Sequence, residues 1–233
     1  MRWPPATMRC CSSARSRRSR SSKACSPASW PRPFAAQSGS GLHLHVSLLE
    51  RRRRQRVRLH PARHRRRPCA TPSAGCSGSA EDCLLLFAPH ANSYRRFVAN
   101  AFVPLNDSWG FNNRTVAMRV PHSDPANTRI EHRIAGADAN PYLVAAAVLA
   151  GIEHGLAQNI DPGPPTQGNA YEQHAAREPD WRGAIARFLD SDFAATAFGT
   201  RFRHIYGQQK RRELLDFQTQ VSDVDYRWYL RTV

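Results

Sequence analysis

The chain is poor in acidic residues and has no long apolar run. No stretch reaches about 18 consecutive apolar residues, which excludes a typical membrane-spanning helix. The first 30 residues also lack the apolar segment of a secretory signal peptide. These absences predict a cytoplasmic protein without a membrane partner. Asp and Glu number 18 against 34 Lys and Arg, so the formal net charge is +16 over 233 residues.

The excess positive charge is confined to two segments. Residues 1–31 contain seven Lys and Arg, residues 51–80 contain ten Arg, and neither segment has an acidic residue. Both are nearly devoid of large aliphatic side chains, so neither can bury enough apolar surface to offset the entropy lost on ordering. We therefore expect both basic segments to be disordered. The segments 32–50 and 81–233 are close to neutral and carry the apolar patterns of a folded domain.

Three explanations remain open for the basic segments. They hold five of the six cysteines, but no pair has the C-x2-C spacing of a structural zinc site, which disfavours a zinc or disulfide module. As nucleic-acid-binding arms they would give the whole chain an alternative function, yet aromatic residues for base stacking are scarce. Out-of-frame translation of a G+C-rich gene is favoured, because it yields Arg, Ala, Pro, Gly, Ser and Cys. Nucleic acid is therefore not the expected partner.

The remaining segments predict an α+β domain in which strands precede helices. Apolar residues at alternate positions from Leu42 to Leu48 indicate a half-buried strand. Residues 114–120 and 129–134 predict two further strands, and the apolar run near residues 81–90 predicts the end of a helix.

Capping residues predict where the later helices begin. Asn140 followed by Pro141 is typical of an N-cap and first helical residue, which predicts a helix through residue 157. Asp180 predicts another N-cap, and Ser222 with Asp225 resembles a capping box.

Polar side chains share one face on two of the predicted strands. The row on the first strand consists of His43, His45 and Ser47. The row on the last strand consists of Arg129, Glu131 and Arg133. Each row is either a solvated strand surface or a binding site, because charges buried without partners are costly. Further arginines at positions 96, 114 and 119 favour a site for ATP beside a carboxylate substrate, since guanidinium groups bind both anions.

Five motifs occur in a specific order along the chain. They are GSGLHLHVSL (39–48), NSYRR (92–96), NRTVAMRVP (113–121), RIEHR (129–133) and ANPYLVAAAVLAGIEHGL (139–156). This set resembles the glutamine synthetase family over residues 32–50 and 81–233. The resemblance implies part of that family's catalytic domain, with antiparallel strands forming a partial barrel, helices after them, and disordered basic segments at 1–31 and 51–80.

The resemblance also implies roles for individual residues, and a reaction in which an amine displaces phosphate from a γ-glutamyl phosphate made with ATP. His43 and Glu131 would bind Mg²⁺ or Mn²⁺. The residues implied in ATP binding are His45, Ser47, Arg114, Arg119 and Arg129, of which Arg114 would also be catalytic by stabilising the transferring phosphoryl group. Those implied in glutamate binding are Gly39, Arg96 and Arg133.

Two departures from the family pattern refine these expectations. Phe102 stands where ammonia-using members have an acidic residue, which resembles the γ-glutamylpolyamine or γ-glutamylamide synthetase branch. The amino-terminal domain and other metal-binding glutamates of the family are missing, so we expect a truncated, inactive fragment that does not complete the family's homo-oligomer. A guanidino-kinase-like phosphotransferase is a further alternative, but it requires an activated cysteine, and nothing marks Cys83 as one.

Overall fold

A computed structural model of the protein describes residues 29–48, 70–124, 127–176 and 179–231. Most of the two basic segments lies outside these residues. Four short strands form one sheet: β1 (Leu44–Val46), β2 (Trp109–Phe111), β3 (Met118–Val120) and β4 (Ile130–His132). Their order across the sheet is β1-β4-β3-β2, so the last strand lies between the first and the third. The α+β class predicted from the sequence is confirmed.

The register of the sheet brings three predicted site strands together. Glu131 on β4 is paired with His45 on β1 and with Arg119 on β3, and both pairings are antiparallel. The third pairing, of β2 with β3, is parallel. The antiparallel pairings agree with the expected strands, and the parallel pair involves a strand that the sequence pattern does not predict. Residues 112–117 loop back, with Asn112 at φ 48°, so that β3 runs in the same direction as β2.

Nine helices surround the sheet within the described residues. They are α1 (Ala70–Gly78), α2 (Leu84–Phe87), α3 (Ala91–Tyr94), α4 (Pro141–Gln158), α5 (Ala170–Gln173), α6 (Trp181–Asp190), α7 (Asp192–Phe198), α8 (Thr200–Gln218) and α9 (Asp223–Tyr229). The predicted caps are confirmed. The Asn140 side chain accepts from the N–H of Tyr142 and Leu143, Asp180 accepts from Gly183, and Ser222 forms a capping box with Asp225.

The structure differs from the expected disorder at the described ends of the basic segments. Pro31 is buried, and its carbonyl oxygen accepts a hydrogen bond from the N–H of Ser40 at 2.6 Å. Helix α1 occupies residues that were assigned to the Arg-rich segment, and it packs on α4. The reason is close backbone contact: Gly75 lies against Gly151 and Gly155, where side chains would keep the two helices apart. Composition alone does not reveal such a contact.

The core lies between the sheet and the longer helices. It contains Leu85, Leu86, Met118, Ile130, Val144, Val148 and Phe188, all with almost no exposed surface. The apolar face of β1 packs against this cluster through Leu42, Leu44, Val46 and Leu48, as the alternating pattern predicts. The opposite face of the same strand is left open to solvent, and it carries the histidines of the predicted site.

Candidate active site

The Glu131 carboxylate is at the centre of the predicted site. It lies in the middle of β4 and is only 4% exposed. Its Oε2 atom accepts from the Arg119 guanidinium at 2.8 Å, and its Oε1 atom lies 3.3 Å from the Arg133 guanidinium. Burial by itself raises the pKa of Glu131, but the hydrogen bond from Arg119 and the charges of Arg133, His43 and Arg119 outweigh it, so the pKa is below its ordinary value. Glu131 is therefore held as an anion.

Two histidines of β1 and its entry face the same carboxylate. His43 Nδ1 lies 3.0 Å from Glu131 Oε1, and His45 Nε2 lies 3.9 Å from the same oxygen. Desolvation lowers the pKa of His43, as does the charge of Arg133, against the opposing effect of Glu131. Desolvation also lowers the pKa of His45. Both rings thus favour the neutral form, in which a ring nitrogen can bind a metal ion.

The His43–Glu131 pair fits a divalent cation by donor type and by spacing. Two ligands that bind at about 2.1 Å and at right angles lie about 3.0 Å apart. The 3.0 Å between His43 Nδ1 and Glu131 Oε1 agrees with such a pair of adjacent ligands. Across the described residues, no group of three or more His, Cys, Asp and Glu side chains is arranged to hold a metal ion. The described residues thus offer two ligands, and other positions would fall to phosphate and water.

Arg119 and Arg129 lie on either side of Glu131. The Arg119 guanidinium donates to Asn112 Oδ1 at 2.7 Å in addition to Glu131. Arg129 donates through Nε to His45 Nδ1 at 3.2 Å, which fixes the ring orientation of this histidine. The buried Nε atoms of Arg119 and Arg133 have no hydrogen-bond partner among the described residues. Both N–H groups are buried beside Glu131, so an anion would reach them only after neighbouring side chains move.

Ser47 lies at the outer end of this row. It is exposed, and its hydroxyl donates to the carbonyl oxygen of Thr128 at 3.2 Å, in the chain segment that leads into β4. Ser47 thus ties the ends of β1 and β4 together.

Arg96 is more enclosed than its predicted role suggests. It is 2% exposed and donates to the carbonyl oxygens of Ile134 and Ala135. Its stem lies so close to Gly39 that a Cβ there would approach the Arg96 Cγ to 2.7 Å. Burial lowers the pKa of Arg96 to about 10, which leaves it charged at neutral pH. In this arrangement Arg96 supports the loop after β4, and Gly39 makes room for it.

Arg133 connects the site to the loop that contains Phe102. One terminal nitrogen of Arg133 donates to the carbonyl oxygens of Phe102 at 3.1 Å and Arg114 at 2.9 Å. Phe102 has a φ of 53° and its ring is 61% exposed. The backbone of this loop is thus fixed by the arginine, while the aromatic ring is free to contact a ligand.

The Arg114 side chain lies beside an open cavity of about 480 Å³. The cavity is lined by Phe111, Asn112, Asn113, Arg114 and the loop 165–168. Arg114 is close enough to the Arg133 guanidinium to lower its pKa, after the larger effect of burial. Arg114 therefore borders the site without taking part in the cluster around Glu131.

The structure thus brings together most of the predicted site residues. A solvated strand surface is the wrong explanation for Glu131 and Arg133, because both are buried. Sequence reasoning missed Asn112, which holds Arg119, and Asp138, which holds the NSYRR segment. The only sequence signal for Asp138 was its position two residues before the N-cap Asn140.

Two further observations on the described residues concern a reactive cysteine and a membrane-spanning helix. Cys83 is fully buried and burial raises the pKa of its thiol, so it is not an activated nucleophile. Within the described residues, none of the helices is both long and apolar enough to cross a membrane.

Comparison with known proteins identifies the family. The catalytic domain of glutamine synthetase matches residues 23–229. Gamma-glutamylputrescine synthetase PuuA of Escherichia coli K12 is 39% identical over 202 residues, which are 86% of this chain and 42% of that protein. Gamma-glutamylethanolamide synthetase GlnA4 of Streptomyces coelicolor is 38% identical over 68% of this chain and 33% of that protein. A glutamate–isopropylamine ligase of a Pseudomonas species is 33% identical over 85% of this chain and 44% of that protein.

A solved structure supports the same assignment. The structure "Apo GmaS without ligand" superposes with a TM-score of 0.73 and 26% identity, over 88% of this chain and 48% of that one. The chain spans less than half the length of these relatives. None of these matches supports a role in nucleic-acid binding. The chain belongs to the glutamine synthetase family and represents part of its catalytic domain, on the branch of the γ-glutamylpolyamine and γ-glutamylamide synthetases.

Proposed function

We propose that the chain carries part of the active site of an ATP-dependent glutamate–amine ligase of the γ-glutamylpolyamine type. The reaction would phosphorylate the γ-carboxylate of glutamate, and an amine would then displace phosphate from γ-glutamyl phosphate. The observation that carries the proposal is the buried Glu131 carboxylate beside His43, with Arg119 and Arg133 bound to it. The names of the relatives, which include putrescine, ethanolamide and isopropylamine ligases, support the choice of an amine larger than ammonia.

His43 and Glu131 are the residues that would hold Mg²⁺ or Mn²⁺. Their donor atoms, one imidazole nitrogen and one carboxylate oxygen, suit such a cation, and their spacing supports simultaneous binding. When bound, the cation neutralises the charge on phosphate oxygens.

The ATP phosphates would be held by Arg119 and Arg114. The exposed Arg114 side chain supplies donors for phosphate oxygens, and the 16% exposed Arg119 side chain would add others beside Glu131. Arg114 would also stabilise the transferring phosphoryl group, since catalysis of phosphoryl transfer consists mostly of positioning and electrostatic stabilisation. Arg129, His45 and Ser47 form the exposed border of the site, where they would contact the nucleotide.

The glutamate substrate would lie near Arg133, Arg96 and Gly39. Arg133 has a buried Nε–H without a partner among the described residues, and Arg96 uses two of its five N–H donors on backbone oxygens. Gly39 makes room for the stem of the Arg96 side chain, which packs against it. These donors suit the carboxylates of an amino acid. Arg96 is 2% exposed, so glutamate can contact its guanidinium only if the residues around it move.

The amine would approach past Phe102. A phenylalanine cannot take the proton of ammonium, but an exposed aromatic ring can contact the alkyl chain of a larger amine. The backbone carbonyl oxygen of Phe102 accepts a hydrogen bond from Arg133, which connects the Phe102 loop to the proposed glutamate site.

The chain by itself is proposed to be inactive. Two protein ligands do not define the octahedral geometry of Mg²⁺, and the chain spans less than half the length of its relatives. The homo-oligomer implied for the family is likewise not expected of this fragment.

Calorimetric titration with a non-hydrolysable ATP analogue, with and without Mg²⁺, tests the proposal. We expect binding that needs Mg²⁺ and that weakens at least tenfold in Glu131→Gln. Asp216→Asn is the matched control, because Asp216 is an exposed carboxylate on α8 that accepts from Arg212. Nucleotide binding that is indifferent to Mg²⁺, or equal in the two variants, would contradict the proposal.

A further inference from the structure

Asp138 makes a buried contact that no role assigned above includes. It lies between β4 and α4, with a side chain that is 9% exposed. Its Oδ2 atom accepts from the Ser93 hydroxyl at 2.6 Å and from His90 Nδ1 at 2.8 Å. The N–H of His90 in turn donates to Ser93 Oγ at 3.0 Å. One carboxylate oxygen therefore organises the first turn of α3, at the start of the NSYRR segment.

The segments 90–96 and 134–138 are also joined through Arg96. Arg96 follows α3, and its N–H donates to the carbonyl oxygen of Ser93 at 3.2 Å. The Arg96 guanidinium donates to Ile134 and Ala135, in the segment that leads to Asp138. The segments 90–96 and 134–138 thus hold each other through Asp138 at one end and Arg96 at the other. A single helical turn, α3, connects the residues that Asp138 holds to Arg96.

The surroundings of Asp138 are shaped around its carboxylate. A Cβ on Gly136 would approach Asp138 Oδ1 to 2.6 Å, so a glycine at position 136 makes room for it. Oδ1 is buried without a hydrogen-bond partner among the described residues. Its negative charge is near enough to Arg96 to favour the charged guanidinium, against the desolvation that lowers the pKa of this arginine. Asp138 therefore favours the charged form of Arg96 directly, and its hydrogen bonds hold the segment that leads to Arg96.

We propose that Asp138 is a positioning residue for the glutamate pocket, which acts by fixing the segment 90–96 and, through it, the Arg96 guanidinium. This inference rests on the proposed function, because it takes Arg96 to border the glutamate site. Asp138 does not contact the substrate.

The test compares the full chain with Asp138→Ala, Asp138→Asn and Ser191→Ala. In Asp138→Asn an amide oxygen can still accept both hydrogen bonds. Ser191→Ala removes a buried helix cap of α7, where Ser191 Oγ accepts from Ala194, so it controls for general destabilisation. Calorimetry measures the affinity for glutamate and for a non-hydrolysable ATP analogue with Mg²⁺. Hydrogen exchange of the peptide that covers residues 88–97 is measured without any ligand.

We expect Asp138→Ala to weaken glutamate binding at least tenfold and ATP-analogue binding less than twofold, and to speed exchange in residues 90–96. Asp138→Asn should stay within about threefold of the wild type for glutamate, and Ser191→Ala should leave both affinities unchanged. An equal loss of both affinities in Asp138→Ala, or a loss in Asp138→Asn as large as in Asp138→Ala, would overturn the proposal.

The two hypotheses fail in different ways. If the wild-type chain binds no glutamate, the proposed function fails. The positioning role is then decided by exchange alone, and unchanged exchange of residues 90–96 in Asp138→Ala overturns it.

Discussion

The Glu131 carboxylate connects several side chains of the proposed site. Its two carboxylate oxygens contact Arg119, Arg133 and His43, and all of these groups come from different positions in the sheet or its loops. The carboxylate makes the burial of Arg133 possible, since a buried guanidinium without an anion is costly. The same residue is therefore important for stability and for the proposed metal site.

Removal of this carboxylate should destabilise the fold. In Glu131→Ala we expect a loss of about 3 kcal/mol in the free energy of unfolding, because Arg133 remains buried without its anion. Asp216→Ala is the control, since it breaks an exposed pair with Arg212 and should cost less than about 1 kcal/mol. Urea unfolding followed by circular dichroism measures both. Equal losses in the two variants would show that the Glu131 cluster contributes no more than a surface ion pair.

His132 should make stability depend on pH. It is fully buried next to the Phe87 ring, and desolvation, followed by the charges of His43 and Arg96, lowers its pKa to about 3. Below the ordinary histidine pKa of about 6.5 the unfolded chain binds a proton that the folded chain does not. Stability should therefore fall with decreasing pH, by up to about 1.4 kcal/mol per pH unit from this group.

The substitution His132→Phe should flatten this dependence. Urea unfolding at pH 7.5, 6.0 and 5.0 should give a smaller loss of stability on acidification than in the wild type. Part of the loss should remain, because His43 and His45 also have lowered pKa values. His204→Gln, at an exposed position, should retain the full slope. Identical slopes in wild type and His132→Phe would show that His132 does not contribute to the pH dependence of stability.

At the scale of elements, the contact between α1 and α4 is the least expected part of the fold. Helix α1 has few large apolar side chains, and its packing depends on glycines of both helices. A Cβ on Gly75 would overlap the carbonyl oxygen of Gly151 and approach the Cα of Gly155 to 2.6 Å. Backbone proximity thus replaces side-chain interdigitation.

Two glycine substitutions test this contact. Gly75→Ala should lower the free energy of unfolding by about 1–3 kcal/mol, because the two helices must move apart. Gly78→Ala, at the exposed end of the same helix, meets no atom within 4 Å and should leave stability unchanged or slightly raised. Thermal unfolding of both variants is the measurement. A neutral Gly75→Ala would indicate that α1 is not docked on α4 in solution.

Other elements differ in how well their sequences predict them. The structure confirms helix α4 and its Asn140 cap. Both could be predicted because the cap and the first helical residues are neighbours in the chain. Strand β2 is not predicted by its sequence, since its three residues have no period of their own and are stabilised by pairing with β3. The turn at Asn112 that makes this pairing parallel leaves no trace in the apolar pattern.

At the scale of the whole molecule, the chain presents one wall of a proposed active site. We expect no glutamate-dependent phosphate release from the purified chain with ATP, Mg²⁺ and putrescine, because the part of the chain that the structure describes places only two metal ligands together. A phosphate assay over hours measures this, with an active glutamine synthetase as the positive control. Turnover that depends on glutamate and is lost in Glu131→Gln would refute the expected inactivity, and would support the ligase chemistry.

The sequence by itself determined which residues are candidates for the site and which faces of the strands they occupy. Alternation along residues 42–48 and 129–134 places polar groups on one face, since side chains of a strand point to opposite sides in turn. The order of the motifs was sufficient to indicate the family. These are local properties, or properties of the order of residues, and they do not depend on how distant segments meet.

Only the tertiary structure decided which of these side chains contact the same carboxylate group. Sheet register places Glu131 beside both His45 and Arg119, and it brings His43, just before β1, to the carboxylate that Arg133, just after β4, also contacts. The supporting contacts of Asn112 and Asp138 were likewise hidden, because each joins segments that are separated along the chain. Hydrogen bonds act over about 3 Å, so their partners are set by the packing of the whole fold rather than by the sequence around them.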